Sequence, residues 1–347
     1  MSPRFNTPLT RLLGIRSPIV LPPMAFASGG LLASQVNQAG GFGFFSPTYS
    51  SYDHWASEFT TVRSTLGLPS GPLPVGTGFL CYRLEKDTPD RPRDMLQLAL
   101  EQQVKAVWLS FGSDIGKWVR HIREYDANRE HKTLVFVVVS SLSEAITAIN
   151  EWKADAIVAQ GIESGGHGAS YAPPLLNLLS SILDAVPAAS RPPIIAAGGL
   201  VRPNQVAALL AMGAAGTVHG TLFLTCPASL YKPEAKERII GANSRDAVRS
   251  YAFDLLRGTT GWPKGVDGRG LAISGVGALQ GMEQDVCPQG VDLEGLRKVM
   301  GERGEAVVWA GAGVGEVTGT REPSDIIREL HDGAVATLRG VQDLVVE

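Results

Sequence analysis

The sequence has little cysteine, no strong excess of either charge and no long apolar run, and each absence excludes a class of protein. Its three cysteines share no spacing typical of a zinc site or a disulfide framework, so we predict no metal and a reducing, cytoplasmic location. The net charge of −3 provides no general basic field for binding nucleic acid. No apolar run reaches the length of a membrane-spanning helix, so we expect no membrane partner.

The sequence also lacks a dinucleotide-binding fingerprint after its first predicted strand. A Rossmann fold would place Gly-x-Gly-x-x-Gly there, whereas this chain continues with Pro22, Pro23, Met24 and Ala25. Apolar segments instead alternate with helical patterns, which is typical of parallel strands covered on both faces. The predicted strands are residues 18–22, 42–45, 73–79, 106–111, 133–139, 154–159, 193–197 and 216–223. This count predicts an α/β fold of the (β/α)8 TIM-barrel type.

The alternating pattern breaks after residue 225. Residues 226–305 contain prolines, mixed charges and the glycine-rich stretch 258–277, and they indicate an inserted lid or substrate subdomain. Residues 1–225 then form the barrel, and residues 306–347 return to it with a closing helix at about 325–344. A helix is also predicted at 143–152, with Ser143 as its N-cap.

A glycine-rich loop follows the sixth predicted strand and contains one histidine, His167. Residues 160–170 read Gln-Gly-Ile-Glu-Ser-Gly-Gly-His-Gly-Ala-Ser. Glycines at this density let a ligand approach the backbone closely, and an imidazole can donate, accept or transfer a proton near neutral pH. The alternative is a tight turn with a surface histidine. We predict that the loop is the floor of an active site and that His167 is catalytic.

Two further glycine sites lie where barrel enzymes commonly bind phosphate, after the seventh and eighth strands. Gly198 and Gly199 follow the seventh predicted strand, and Gly220 and Thr221 lie on the eighth. Paired glycines that merely close tight corners are the alternative. A phosphate there, together with the glycine loop after strand six, favours FMN as the cofactor. Met24 would then pack beside the flavin ring, although a core role suits it equally.

Four motifs in order resemble the nitronate monooxygenase (2-nitropropane dioxygenase) family. They are Pro-Pro-Met-Ala, Glu-Ser-Gly-Gly-His-Gly, Ile-Ile-Ala-Ala-Gly-Gly-Leu and Val-His-Gly-Thr-Leu-Phe, within residues 18–223. The resemblance implies an FMN-binding barrel in which His167 is a base or hydrogen-bond donor beside the flavin. It also implies that Gly198, Gly199, Gly220 and Thr221 hold the FMN phosphate and that Gln160, Gly165 and Gly166 line the ring. Pro23, Met24 and Ala25, at the end of the first predicted strand, would pack beside the ring edge.

The chain departs from the family pattern at the third and fifth strands. Residues 76–78 read Gly-Thr-Gly and residues 137–139 read Val-Val-Val, where family members often have polar side chains near the flavin. We expect Ser110, Ser140 or Thr77 to replace these partners, and we place Ser110 in the cofactor site.

The resemblance implies a reaction and its partners. An alkyl nitronate would be oxidised by O2 to a carbonyl product and nitrite, without a pyridine nucleotide. One alternative is a related NAD(P)H-dependent FMN reductase acting on quinones or enoyl thioesters. Another is a noncatalytic FMN-binding barrel. A homodimer is also possible.

The remaining histidines carry weaker expectations. His54, His121, His131 and His331 stand in polar or charged contexts and are predicted to lie at the surface. His219 lies on the eighth predicted strand, and either cofactor contact or packing suits it.

Overall fold

A closed barrel of eight parallel strands forms the centre of the protein. The computed structural model describes residues 3–86, 91–279 and 282–344, so small parts of the predicted ranges 1–225, 226–305 and 306–347 lie outside it. The predicted (β/α)8 TIM barrel is confirmed, with barrel order β1, β2, β3, β4, β5, β6, β8, β9. The strands are β1 Ile19–Leu21, β2 Phe42–Phe45, β3 Leu73–Leu80, β4 Val104–Ser110, β5 Leu134–Val139, β6 Ala156–Gln160, β7 Gly166–Ala169, β8 Ile194–Ala197, β9 Gly216–Val218, β10 Ala247–Ser250 and β11 Val266–Leu271.

Helices cover the barrel and build much of the segment after β9. They are α1 Pro8–Leu13, α2 Gly30–Gln38, α3 Tyr52–Leu66, α4 Cys81–Leu84, α5 Pro92–Glu101, α6 Ile115–Asp126, α7 Leu142–Asn150, α8 Leu175–Ala185, α9 Pro203–Met212, α10 Thr221–Leu224, α11 Pro233–Ile240, α12 Ala252–Arg257, α13 Ser274–Ala278, α14 Leu293–Glu302 and α15 Pro323–Gly340. Short 3-10 turns occur at Ser244–Asp246, Val314–Glu316 and Val341–Leu344. None of the helices in the described ranges is long and apolar enough to cross a membrane.

Most predicted boundaries differ from the observed ones by one or two residues, and two of the differences have a clear local cause. The eighth barrel strand ends at Val218, because the chain turns into helix α10 at Thr221. The N-cap of α7 is Ser141, not Ser143, because Ser141 has extended backbone angles and its hydroxyl accepts a hydrogen bond from Glu144 N at 3.2 Å. Ser143 already lies inside the helix.

Aromatic side chains pack against one another in the barrel interior. The ring of Phe44 lies 5.2 Å from that of Trp108 and 5.3 Å from that of Phe136, measured between centroids. Leu9 of α1 joins this interior cluster, and Thr7 Oγ1 donates to the carbonyl of Ala215 just before β9. Helix α1 therefore covers the amino end of the barrel, and a ligand has access from the carboxyl end, where barrel enzymes bind substrates.

A second, three-stranded sheet joins the predicted active-site loop to the segment after residue 225. Its order is β10, β11, β7, and His167 on β7 is paired with Gly268 on β11. Residues 166–169 are thus strand rather than loop, because their backbone groups bond to β11. Arg249 and Arg269 both donate to the carbonyl oxygen of Ile162. These bonds hold the start of the glycine segment in place.

Candidate active site

A cavity at the carboxyl end of the barrel is lined by residues from all eight barrel strands or from the loops that follow them. The structure brings the predicted catalytic residue and the eleven residues predicted to bind the cofactor to its wall. These residues are Pro23, Met24, Ala25, Ser110, Gln160, Gly165, Gly166, His167, Gly198, Gly199, Gly220 and Thr221. Their roles remain predictions, but the positions share one site.

The glycines at this wall are required for two different reasons. Gly166, Gly198 and Gly199 have φ angles of +70°, +139° and +66°, a region that other residues rarely adopt. At Gly165 the limit is space, since an added Cβ would lie 2.4 Å from the carbonyl carbon of Ala310. The backbone at these positions is therefore exposed to the cavity without covering side chains.

Two polar side chains of the predicted cofactor site are held by the backbone. Gln160 Nε2 donates to the carbonyl of His167 at 3.2 Å, and Gln160 Oε1 is buried with no hydrogen-bond partner among the described residues. Thr221 Oγ1 accepts a hydrogen bond from Gly311 N at 3.0 Å. A buried acceptor without a partner costs free energy unless a ligand supplies a donor.

The imidazole of His167 is paired with a buried carboxylate. His167 Nε2 lies 3.0 and 2.9 Å from the two carboxylate oxygens of Asp254, and Asp254 is 3% exposed. Thr259 Oγ1 donates to Asp254 Oδ1 at 2.8 Å. His167 Nδ1 has no hydrogen bond to the part of the chain that the structure describes. One nitrogen of the ring is thus bound to an acid, and the other is left for a ligand.

Two tryptophans enclose the imidazole. The indole of Trp262 is stacked on it with centroids 3.5 Å apart and an interplanar angle of 13°, and the indole of Trp309 is tilted against it at 4.8 Å. Trp262 is 8% exposed. The two indoles leave the side chain of His167 12% exposed, and it faces the cavity.

Arg257 is the one Lys, Arg, Asp or Glu among the described residues that line the cavity. Its guanidinium lies 5.7 Å from the ring centroid of Phe26 and 5.6 Å from that of Trp309. No carboxylate lies within ion-pair distance of it in the described ranges. An uncompensated cation in an otherwise uncharged wall favours an anionic ligand.

Sequence reasoning missed Asp254, Arg257, Thr259 and Trp262, which all come from the segment after residue 225. The available signal was Asp254 itself. It stands alone among Phe253, Leu255 and Leu256 in an apolar run, and Asp is almost never fully buried without a partner.

Three expected polar contacts lie outside the cavity wall. Thr77 is buried and its hydroxyl has no partner among the described residues, whereas Ser140 N bonds to Glu144, and neither lines the cavity. His219 is fully buried, bonded through Nε2 to Thr217 Oγ1 and through Nδ1 to the carbonyl of Leu200. Burial lowers the pKa of His219 to about 4. Packing, not cofactor contact, is therefore its role here.

The prediction that His331 lies at the surface is wrong. It is 2% exposed, its Nδ1 lies 2.7 Å from Ser17 Oγ, and its Nε2 lies 2.7 Å from the carbonyl oxygen of Pro3. The charged neighbours Glu329 and Asp332 occupy the outer face of α15, while His331 shares the buried face with Leu330. Burial lowers the pKa of His331.

An eight-stranded barrel with an imidazole-containing cavity at its carboxyl end defines this protein as a barrel enzyme. The model of the nitronate monooxygenase family matches residues 6–333, and the chain belongs to that family.

Similar proteins agree with this assignment. The chain is 28% identical to the nitronate monooxygenase of Neurospora crassa, over 94% of this chain and 92% of that protein. It is 30% identical to the nitronate monooxygenase npaC of Metarhizium robertsii, over 94% and 93% of the two chains. The solved structure of nitroalkane oxidase from Streptomyces ansochromogenes superposes with a TM-score of 0.76 at 25% identity, covering 96% of this chain and 99% of that one. The chain is therefore a flavin-dependent oxidoreductase of the nitronate monooxygenase family.

Proposed function

We propose that the protein is an FMN-dependent nitronate monooxygenase that converts an alkyl nitronate and O2 to a carbonyl compound and nitrite. The observation that carries this proposal is the pairing of His167 with Asp254 inside a glycine-lined cavity. Family membership and this geometry favour it over the reductase and over the noncatalytic barrel.

The residues at the cavity wall fit FMN. Gly198 and Gly199 follow β8, and Gly220 and Thr221 follow β9, which are the loops that commonly hold a phosphate in this fold. Three of these four residues are glycines, so no side chain of their own covers the backbone N–H groups. The unpartnered amide oxygen of Gln160 is an acceptor available to a ring N–H group.

The flavin ring would lie between the loop after β1 and the glycine segment after β6. Pro23, Met24 and Ala25 come from the first of these, and Gly165 and Gly166 come from the second. Ser110, at the end of β4, lines the cavity between β3 and β5, the two strands at which the chain departs from the family pattern. Its hydroxyl is therefore the polar group that we assign to the flavin on this side of the barrel.

When bound, FMN supplies an electron acceptor for the nitronate and a centre that reacts with O2. The protein's own residues bind and orient the substrate. His167 can take the proton of the parent nitroalkane on its free nitrogen, which leaves the nitronate, and Arg257 attracts the anion into the cavity. Trp262 and Trp309 exclude water from the imidazole, which strengthens both interactions.

We also propose that residues 226–305 act as the lid or substrate subdomain. Arg257, Thr259 and Trp262 from this range line the cavity, and β11 is hydrogen-bonded to β7 beside His167. We propose that the protein is located in the cytoplasm, because its three cysteines are free thiols and disulfides are rare in that reducing compartment. A homodimer remains a prediction.

The test is an anaerobic absorbance spectrum of the purified protein, mixed separately with an alkyl nitronate and with NADPH. We expect one FMN per chain and loss of the flavin absorbance with the nitronate alone. Loss with NADPH alone would favour the reductase. A protein that neither carries nor binds FMN would overturn the proposal.

A further inference from the structure

We infer that Asp254 is a positioning residue for His167. It holds the imidazole proton on Nε2, so that Nδ1 is the nitrogen presented to the substrate. The inference deepens the proposed function, because it names the atom of His167 that acts there.

The hydrogen-bond geometry assigns the proton. An ionised carboxylate only accepts hydrogen bonds, and both oxygens of Asp254 lie within 3.0 Å of His167 Nε2. With Asp254 ionised, Nε2 is therefore the donor. In neutral imidazole the other nitrogen then carries a lone pair, and His167 Nδ1 has no competing partner in the described part of the chain.

The surroundings of Asp254 keep it tied to the histidine. No Lys or Arg in the described ranges pairs with this carboxylate, and its other side-chain bond comes from the neutral hydroxyl of Thr259. The carboxylate accepts from both Thr259 Oγ1 and His167 Nε2, and such hydrogen bonds favour its ionised form, so loss of the imidazole N–H would leave a buried acceptor unpaired. The nearby acid Asp267 is paired instead with Arg249.

The aromatic rings keep the imidazole from turning over. A flip about the Cβ–Cγ bond would put Cε1 in place of Nε2 and break the bond to Asp254, and it requires the ring to rotate between Trp262 at 3.5 Å and Trp309 at 4.8 Å. The contact with the carboxylate crosses 87 residues of sequence. Asp254 belongs to residues 226–305, so this segment determines which nitrogen of His167 is available to the substrate.

The tautomer can be measured without substrate. Two-dimensional 15N–1H spectra of the histidine side chains separate protonated from unprotonated ring nitrogens, and the chain has six histidines. The spectrum of His167→Gln assigns the signals of His167. We expect Nε2 protonated and Nδ1 unprotonated in the holoenzyme, the same in Asp254→Glu, and a mixture or reversal in Asp254→Asn.

Asp126→Asn is the matched control, since Asp126 is also 3% exposed but lies far from the cavity, bonded to Thr133 N. It removes a buried carboxylate and should leave the His167 signals unchanged. If Asp254→Asn does not fold, the wild-type spectrum alone decides. A proton on Nδ1 in the wild type would overturn the inference, as would an unaltered tautomer in folded Asp254→Asn.

Kinetics with the parent nitroalkane give a second readout, because the lone pair on Nδ1 is what takes its proton. We expect kcat to fall about tenfold or more in Asp254→Asn with little change in KM, and largely to recover in Asp254→Glu. A wild type inactive with both the nitroalkane and its nitronate, with Nε2 protonated, would contradict the proposed function but not the assignment of the tautomer. Wild-type kcat in Asp254→Asn would contradict the positioning role.

Discussion

The imidazole of His167 lies nearly parallel to the indole of Trp262, with ring centroids 3.5 Å apart. His167 belongs to β7, beside the barrel, whereas Trp262 follows α12 in the segment after residue 225. The stack therefore joins the two parts of the chain at the reactive group. Asp254 reaches the edge of the same ring from the same segment.

Replacement of Trp262 tests what the stack contributes. Aromatic pairs add about 0.5–1.5 kcal/mol beyond burial, so we expect Trp262→Ala to lower kcat/KM for an alkyl nitronate by up to about tenfold. Trp262→Phe keeps an aromatic face and should retain most activity. Both are measured by steady-state kinetics at matched flavin content. An equal fall in kcat/KM in the two variants would show that the shape of the indole, and not aromatic stacking, supports the activity.

Neutralising Arg257 should weaken binding of an anionic substrate. The side chain is the cation of the cavity wall, and one exposed or partly buried charge contact is worth about 1 kcal/mol. We expect Arg257→Met to raise KM for a nitronate several-fold and to reduce the sensitivity of KM to salt. Arg257→Lys keeps the charge and serves as the control. If KM and its salt dependence are unchanged in Arg257→Met, the residue does not attract the substrate.

Gly199 tests the proposed phosphate site. An alanine at this position would have a strained backbone at φ +66°, and its Cβ would lie 3.1 Å from the Cβ of Glu163. We expect Gly199→Ala to be purified with much less FMN and to bind added FMN at least about tenfold more weakly. Gly213→Ala, at φ +110° in the C-cap of α9, carries similar strain away from the cavity. Equal flavin loss in the two variants would point to general destabilisation.

The burial of His219 predicts a specific acid sensitivity. Its pKa is lowered to about 4 in the folded protein, against about 6.5 in the unfolded chain. Between these pH values the unfolded chain binds one more proton than the folded protein. The free energy of unfolding is therefore highest above pH 6.5 and falls as the pH drops toward 4. Protonation of His219 in the unfolded chain lowers the free energy of unfolding by about 2–3 kcal/mol at pH 4.5.

The measurement is urea unfolding of wild type and His219→Gln at pH 7.5 and pH 4.5. Glutamine can still donate to the Leu200 carbonyl and does not titrate. We expect the pH-dependent loss to be smaller in the variant by about that amount. The same loss in both proteins would assign the acid sensitivity to other groups, of which His331 is the first to examine, because burial lowers its pKa too.

Local patterns in the sequence determined the barrel and the floor of its site. Apolar strand segments alternate with helices over the first two thirds of the chain, and glycines mark the strand ends where the backbone must be uncovered. These signals involve neighbours in sequence, so periodicity and turn chemistry reveal them. Together with the family resemblance, they predicted His167 and eleven cofactor residues that the structure places at one cavity.

Only the tertiary structure decided what surrounds the histidine. Asp254 and Trp262 reach His167 because β11 pairs with β7, and that register brings together residues separated by about a quarter of the chain. The burial of His331 depends likewise on which face of α15 packs against the residues before β1. Sequence periodicity shows which face of a helix or strand is apolar, but it does not show which other element packs against that face. Non-local packing decides this, and it brings Asp254 and Trp262 to His167.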